Sequence, residues 1–363
     1  MKPSETRVVI MAGGTGGHIF PALAIARYLR DQGVSVNWLG TRRGMEARVV
    51  SEAGFPISYV SVSGLRGKGM AGYLLAPFKL TFAILQVIRI YLSLRPHVVV
   101  GFGGFVTGPG GFAAWLLRKP LVIHEQNAIP GLTNRILSHM AKRVLEAFSG
   151  SFPQTTRATH TGNPVRSDIV ALAEPAARLS QHQGSLRILL IGGSLGAQAL
   201  NECLPQALAS LPAQARPSIW HQTGANKFEE TRAMYESLQV EAKVAPFIDD
   251  MAEAYDWADL VICRAGALTL AELCAAGLGS ILVPFPYAVD DHQTHNAQQL
   301  VNADAAILIP QSELTTDRLS AVLQDTLTKG REHIIKMAQA ARKLSMPNAN
   351  KQVAELCLEI AHG

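Results

Sequence analysis

The stretch that most constrains this chain runs from Val8 to Leu29, VVIMAGGTGGHIFPALAIARYL, where an apolar run meets a Gly/Thr loop closed by His18 and then a segment of helical periodicity. That order predicts strand, tight loop, helix. Gly13, Gly14, Gly16 and Gly17 carry no Cβ, so the loop can take positive φ and bring backbone N–H groups close to a ligand, with the positive end of the helix behind them. Such a loop suits a pyrophosphate. The pattern returns at Leu186 to Leu204, LRILLIGGSLGAQALNECL, with Gly192, Gly193 and Gly196 in the corresponding places. Two half-sites of nucleotide-binding type imply two similar domains, and 363 residues with 48% hydrophobic content suffice for two separate cores.

Strands alternating with helical segments across Gly-containing loops read as an α/β fold with parallel sheets, because parallel strands need crossover helices. The formal charge of +5 comes without the Lys/Arg runs or interleaved aromatics that mark nucleic-acid binding. Anionic small molecules or an anionic membrane surface fit better. Cys203, Cys263, Cys274 and Cys357 show no C-x-x-C spacing and are expected reduced and buried, in a cytoplasmic chain. With the first strand beginning by Arg7, no room is expected for a signal peptide.

A second strand, Val34 to Gly40, ends in Thr41-Arg42-Arg43 with no acidic residue, and the third glycine of a dinucleotide fingerprint would fall at Ile19. Both facts argue against an NAD enzyme. The glycine-rich stretch Gly64 to Gly72, with Arg66 and Lys68, leads into an apolar run from Tyr73 that Lys79 and Arg89 interrupt. That run is expected to fall short of a membrane span. Apolar residues nevertheless occupy more of its circumference than one core-facing stripe needs, which fits a helix buried on most sides or one with a membrane-surface face.

His97 to Leu117 reads as a buried strand, a second glycine-rich loop and a small-residue helix, another anion-binding turn. The strand that follows ends at Ile123 and places His124, Glu125, Gln126 and Asn127 at the C-terminal edge, where open α/β sheets hold ligands. The polar segment Glu174 to Ser185 is the expected linker, and the tail from Asp317 to Ala361 is helical in pattern with a break at Pro347.

Arg264 to Glu272, RAGALTLAE, follows a strand with small residues that leave helix N–H groups open to phosphate, and Glu272 lies one turn further in, where a carboxylate can accept from ribose hydroxyls. In company with Gly192-Gly193-Ser194 this favours a nucleotide. Asp290-Asp291-His292 offers metal-ligand types, but no Asp-x-Asp triplet supports a cation, so no catalytic metal or other cofactor is expected. Gln293 and Asn296 then read as neutral hydrogen-bonders for sugar hydroxyls. His18 is the candidate for proton transfer, since an imidazole suits a general base near neutral pH.

In order and spacing, GGTGGH (Gly13 to His18), SGLRGKG (Ser63 to Gly69), GFGGFVTGPGG (Gly101 to Gly111), HEQN (His124 to Asn127), GNPVR (Gly162 to Arg166), GGSLGA (Gly192 to Ala197), HQTG (His221 to Gly224), FIDDM (Phe247 to Met251), GALTLAE (Gly266 to Glu272) and DDHQ (Asp290 to Gln293) resemble glycosyltransferase family 28. Within it the chain is similar to the undecaprenyldiphospho-muramoylpentapeptide β-N-acetylglucosaminyltransferases of peptidoglycan synthesis. The resemblance implies a GT-B fold, two Rossmann-like domains with parallel sheets facing across a cleft. Its implied division is an acceptor- and membrane-facing domain over 1–165, with a C-terminal helix of about 345–363 packing back on it, and a UDP-GlcNAc-binding domain over 166–344.

On the same ground UDP-GlcNAc is the donor: Phe247 and the Ile248 backbone hold uracil, Glu272 the ribose, and Ser194 with Ala267, Leu268 and Thr269 the diphosphate, Leu270 and Ala271 continuing that segment. Thr15, Gly16, Gly17, Asn127, Arg166 and Gln293 complete the donor site. The acceptor implied is lipid I, undecaprenyl-pyrophosphoryl-MurNAc-pentapeptide, its diphosphate near Gly14, Gly103 and Gly104. Leu74, Leu75, Lys79 and Phe82 would meet an anionic membrane surface, placing the protein peripherally on the cytoplasmic face of the bacterial inner membrane, with cell-wall synthesis or division proteins as partners. The reaction implied is inverting: the muramoyl 4-hydroxyl attacks C1, His18 takes its proton, and helix N-termini with Arg166 stabilise the departing UDP. Gly279 and Tyr287 depart from the family's usual Pro and His. Two rivals remain: a UDP-GlcNAc 2-epimerase, which has no use for the Gly64 to Leu94 region, and a non-catalytic membrane-docked sugar-nucleotide binder, which has none for His18.

Overall fold

The computed structural model describes residues 6–62, 75–193 and 195–362; the 63–74 stretch, with Arg66, Lys68 and Leu74, and Ser194 lie outside the described residues. The chain forms two compact units, Met1–Val165 with Met346–Gly363, and Arg166–Ser345.

In the first unit β1 (Arg7–Ala12), β2 (Ser35–Gly40), β3 (Ile57–Tyr59), β4 (Val98–Gly103), β5 (Leu121–Glu125), β6 (Arg143–Glu146) and β7 (Thr159–His160) form a sheet of order β3-β2-β1-β4-β5-β6-β7. Every pairing is parallel, with Val8 opposite Val36 on one side and Val98 on the other. The continuous apolar runs follow from burial on both faces. Val8, Ile10 and Ala12 join the core that holds Ile19, Ile25 and Leu29 of the Gly16–Asp31 helix, whereas Val9 and Met11 join the opposite core with Val87, Tyr91 and Ala113. The Ala349–His362 helix closes the first of these cores, burying Val353, Ala354 and Cys357 beside Gly16–Asp31.

The second unit repeats the plan with β8 (Arg187–Ile191), β9 (Ser218–Gln222), β10 (Lys243–Ala245), β11 (Leu260–Cys263), β12 (Gly279–Leu282) and β13 (Ala306–Leu308), in the parallel order β10-β9-β8-β11-β12-β13. In both sheets the chain reverses its direction of winding beside the first strand, between β1 and β4 and between β8 and β11. That is where open α/β sheets bind ligands beyond the strand C-termini. Both glycine loops sit at these points.

Three sequence expectations change. Glu174 to Ser185 is no linker: Pro175–Ser180 is a helix of the second unit, with Leu179 buried against Ile334 and Ala338 and Glu174 paired to Arg342 at 3.1 Å. Its polar composition hid one apolar contact face. The helix after β4 begins at Thr107 and includes Gly108, Pro109, Gly110 and Gly111, because a Cβ on Gly110 would lie 2.2 Å from Met11 Sδ and one on Gly111 2.6 Å from Leu137. The glycines let that helix lie close to β1 and its neighbour. The Ala76–Leu94 helix, 19 residues, is long and apolar enough to cross a membrane despite Lys79 and Arg89. Its packing points elsewhere: Ala83, Val87 and Tyr91 form a buried stripe at i, i+4, i+8, and the Tyr91 hydroxyl donates to Gly110 O at 3.3 Å. Leu75, Phe78, Leu80, Phe82, Leu85 and Leu92 are exposed, Phe78 to 75%.

Candidate active site

Thr15 is the N-cap of the Gly16–Asp31 helix, so Gly16, Gly17 and His18 form its first turn and His18 belongs to the helix rather than the loop. Its half-buried ring is fixed by Gln126, whose Oε1 lies 2.7 Å from Nδ1. The glycines after β4 come close: a Cβ on Gly103 (φ 117°) would stand 2.8 Å from His18 Cε1, and one on Gly104 (φ 85°) 2.2 Å from Gly13 O. Only glycine permits both the positive φ and this approach.

Glu46, which carried no signal in the sequence, organises the loop. It is buried, and its Oε1 accepts from Thr41 N (2.9 Å) and Thr41 Oγ1 (2.7 Å) while Oε2 accepts from Gly14 N (3.3 Å). A Cβ on Gly13, Gly40 or Gly44 would come within 3.0, 2.9 and 2.1 Å of this side chain, so three glycines make its berth. The acidic residue missing from the end of β2 is therefore supplied from the following helix, and it turns to backbone rather than ribose. Of the acceptor-phosphate candidates, Gly14 N–H thus donates to Glu46 and Gly103 N–H to Thr107 Oγ1 (3.2 Å).

The expectation that His124 to Asn127 is chiefly ligand-facing is corrected. His124, Glu125 and Gln126 are fully buried, and β5 runs through Glu125. Glu125 accepts from Gln126 N, Asn127 N, Asn127 Nδ2, Gly131 N and Asn134 Nδ2 at 2.9–3.1 Å, which folds the chain into the turn after β5. Burial pushes the His124 imidazole down to about 4, so it is neutral at physiological pH. Asn127 alone of the four is partly exposed.

In the second unit Gly266 is the N-cap of the Ala267–Ala276 helix, whose first turn is Ala267, Leu268 and Thr269. The Leu270 side chain is buried, leaving only its backbone for a ligand, and Ala271 is half-buried. Glu272 is almost wholly buried; Arg166 Nη2 donates to Oε1 (3.4 Å) and the Tyr255 hydroxyl to Oε2 (2.9 Å). Burial raises its pKa, an effect that Arg166 and Tyr255 oppose. Tyr255 escaped the sequence reading because it lies in an ordinary amphipathic helix, Met251–Trp257. Phe247 is exposed beside a buried Ile248, as a base-stacking residue next to an anchored backbone would be. Gln293 Oε1 accepts from Phe285 N (2.9 Å) in the loop carrying Asp290 and Asp291, both left-handed at φ 53° and 50°. Asn296 is corrected from ligand contact to scaffold: it is fully buried and donates to Ala265 O at 3.3 Å.

Two Rossmann-like units of this order, each with a glycine loop and a helix N-terminus at its switch point, define the nucleotide-sugar glycosyltransferase class of fold. The description "Glycosyltransferase family 28 N-terminal domain" matches residues 8–146 and "Glycosyltransferase family 28 C-terminal domain" residues 187–353. The chain belongs to glycosyltransferase family 28. It is 56% identical over 98% of its length to the UDP-N-acetylglucosamine–N-acetylmuramyl-(pentapeptide) pyrophosphoryl-undecaprenol N-acetylglucosamine transferase of Nitrosococcus oceani (99% of that protein), and equally to the same-named protein of Marinobacter nauticus (98% of each chain). Among solved structures, MurG of Acinetobacter baumannii is 42% identical with a TM-score of 0.84 over 98% of this chain and 99% of that one. A UDP-GlcNAc 2-epimerase of Neisseria meningitidis, 13% identical with a TM-score of 0.66 over 98% of this chain and 100% of that one, shares the fold alone.

Proposed function

We propose that this glycosyltransferase moves GlcNAc from UDP-GlcNAc to the muramoyl 4-hydroxyl of lipid I, with inversion, to make lipid II for peptidoglycan synthesis. The observation that carries this reading is 52–56% identity, over 98% or more of the chain, to relatives bearing that name. The donor half is assigned to the 166–344 domain. There Glu272, held by Arg166 and Tyr255, has lone pairs left for ribose hydroxyls, and the open N–H groups of Ala267, Leu268 and Thr269 suit a diphosphate. Arg166 and that helix N-terminus stabilise the departing UDP. Phe247 and the Ile248 backbone take the uracil; Ser194, Gln293, Thr15, Gly16, Gly17 and Asn127 complete the donor contacts.

The acceptor half is assigned to the 1–165 domain, with His18 as the base and the lipid I diphosphate beside Gly104. The exposed apolar side of the Ala76–Leu94 helix, with Lys79, supports peripheral docking on the cytoplasmic face of the inner membrane, where polyprenyl-anchored acceptor resides. Incubation with UDP-GlcNAc and a lipid I analogue tests the whole reading. UDP release that depends on acceptor supports it; release without acceptor, with ManNAc formed, would mark an epimerase. Replacing His18 by Ala is expected to lower kcat by ~10²–10⁴ with donor KM retained.

A further inference from the structure

Two backbone carbonyls near His18 dictate the protonation pattern of three side chains. A carbonyl oxygen can only accept. Gly162 O lies 3.0 Å from His124 Nε2, so that nitrogen carries the proton. Since His124 is buried and neutral, its Nδ1 is left with a lone pair. His124 O lies 2.9 Å from Gln126 Nε2, so that end of the amide is the NH2 group; turned over, two acceptors would face each other without a proton between them. The second N–H of the same group donates to His124 Nδ1 at 3.0 Å, in agreement.

The Gln126 carbonyl is thereby directed at His18 Nδ1, 2.7 Å away, and must accept from it. A neutral imidazole has one N–H. Gln126 cannot swing aside, since it is buried, its own N–H donates to Glu125 Oε1 (3.0 Å) and its C=O accepts from Asn163 Nδ2 (3.0 Å).

We propose that Gln126 is a positioning residue that holds His18 as the Nδ1–H tautomer, leaving Nε2 as the one ring atom able to take a proton from an acceptor hydroxyl. Free histidine prefers the opposite tautomer, Nε2–H, which would have no basic nitrogen there. The catalytic consequence rests on His18 being the base, whereas the tautomer itself does not.

The test is long-range ¹⁵N–¹H correlation NMR of ring-labelled protein at a pH where His18 is neutral, its signals assigned through His18→Gln. Wild type is expected to show a protonated Nδ1 and a bare Nε2. Gln126→Met, of similar size but without the acceptor, is expected to shift the majority to Nε2–H and lower kcat at least ~10-fold with donor KM unchanged. A wild-type spectrum dominated by Nε2–H would overturn the proposal, as would Nδ1–H persisting in Gln126→Met. If that variant does not fold, the wild-type spectrum alone decides. Full turnover by His18→Gln would remove the base assignment while leaving the tautomer result standing.

Discussion

Replacing Glu46 by Gln changes one atom and should loosen the first glycine loop. Both carboxylate oxygens face an N–H: Oε1 meets Thr41 N and Oγ1, Oε2 meets Gly14 N. An amide has a single acceptor end, and the two donors of Thr41 outweigh the one of Gly14. The Gln oxygen therefore turns to Thr41, and its NH2 group confronts the Gly14 N–H. The berth formed by Gly13, Gly40 and Gly44 leaves no room for the side chain to withdraw. Losing one hydrogen bond to a charged group and leaving its donor unmet costs ~1.5–3 kcal/mol. Urea unfolding should register that loss as a lower midpoint at unchanged slope. Where the loosened loop contacts acceptor, the same energy corresponds to a ~10- to 150-fold rise in acceptor KM, with donor KM near wild type. A stability change under ~0.5 kcal/mol together with an unchanged acceptor KM would refute the idea that Glu46 holds the loop.

Tyr255→Phe removes the proton donor to Glu272 Oε2 and should weaken UDP binding ~10-fold or more by calorimetry, without the misfolding expected of a large-to-small change. Burial pushes His124 down to about 4 and His221 to about 3, so as pH falls below ~6.5 the unfolded chain binds protons that the folded one refuses, and stability drops by up to ~1.4 kcal/mol per pH unit per histidine. His124→Phe should therefore flatten the decline in unfolding free energy between about pH 6.5 and 4 by one proton's worth, read from urea midpoints. Leu75→Glu with Phe82→Glu alters side chains 51% and 57% exposed, so the melting temperature should barely move. Binding to anionic vesicles should fall at least ~10-fold, since each added charge is repelled by ~1 kcal/mol and apolar insertion is lost. Equal loss of activity toward a short-chain soluble acceptor would show the face to be structural.

The features legible in the sequence are those with a local cause. The apolar run of Val8 to Ala12 and the loop after it require a buried parallel strand and a tight turn wherever they stand. Their repetition at Ile188 to Ala197 foretells a second sheet. The contacts that set the chemistry are non-local: Glu46 reaches Gly14 across 32 positions and Gln126 reaches His18 across 108. No periodicity records such pairings, and a lone Glu behind Arg42 and Arg43 looks like surface charge. The HEQN motif misled for a related reason. Its polar residues cluster at a strand end as ligand-binding residues do, but Glu125 is consumed by five N–H donors of its own turn.

The two glycine loops, nearly alike as sequence, are anchored by side chains of opposite character. Behind the first stands a carboxylate that takes up a loop N–H, and the neighbouring Gly103 N–H is likewise held by the Thr107 hydroxyl. Behind the second stand donors that take up loop carbonyls: Gln222 Nε2 to Gly193 O at 3.0 Å, and Lys227 Nζ to Leu195 O at 2.9 Å and Gly196 O at 3.3 Å. A diphosphate at the second loop would meet an ammonium behind the backbone, and one placed at Gly14 would meet Glu46. At a separation of several ångströms in a partly buried setting, that difference in sign is worth a few kcal/mol. It favours giving the donor diphosphate to the second unit. It also moves the acceptor diphosphate away from Gly14 toward Gly104, on the side of the loop pair where the Glu46 carboxylate makes no contact.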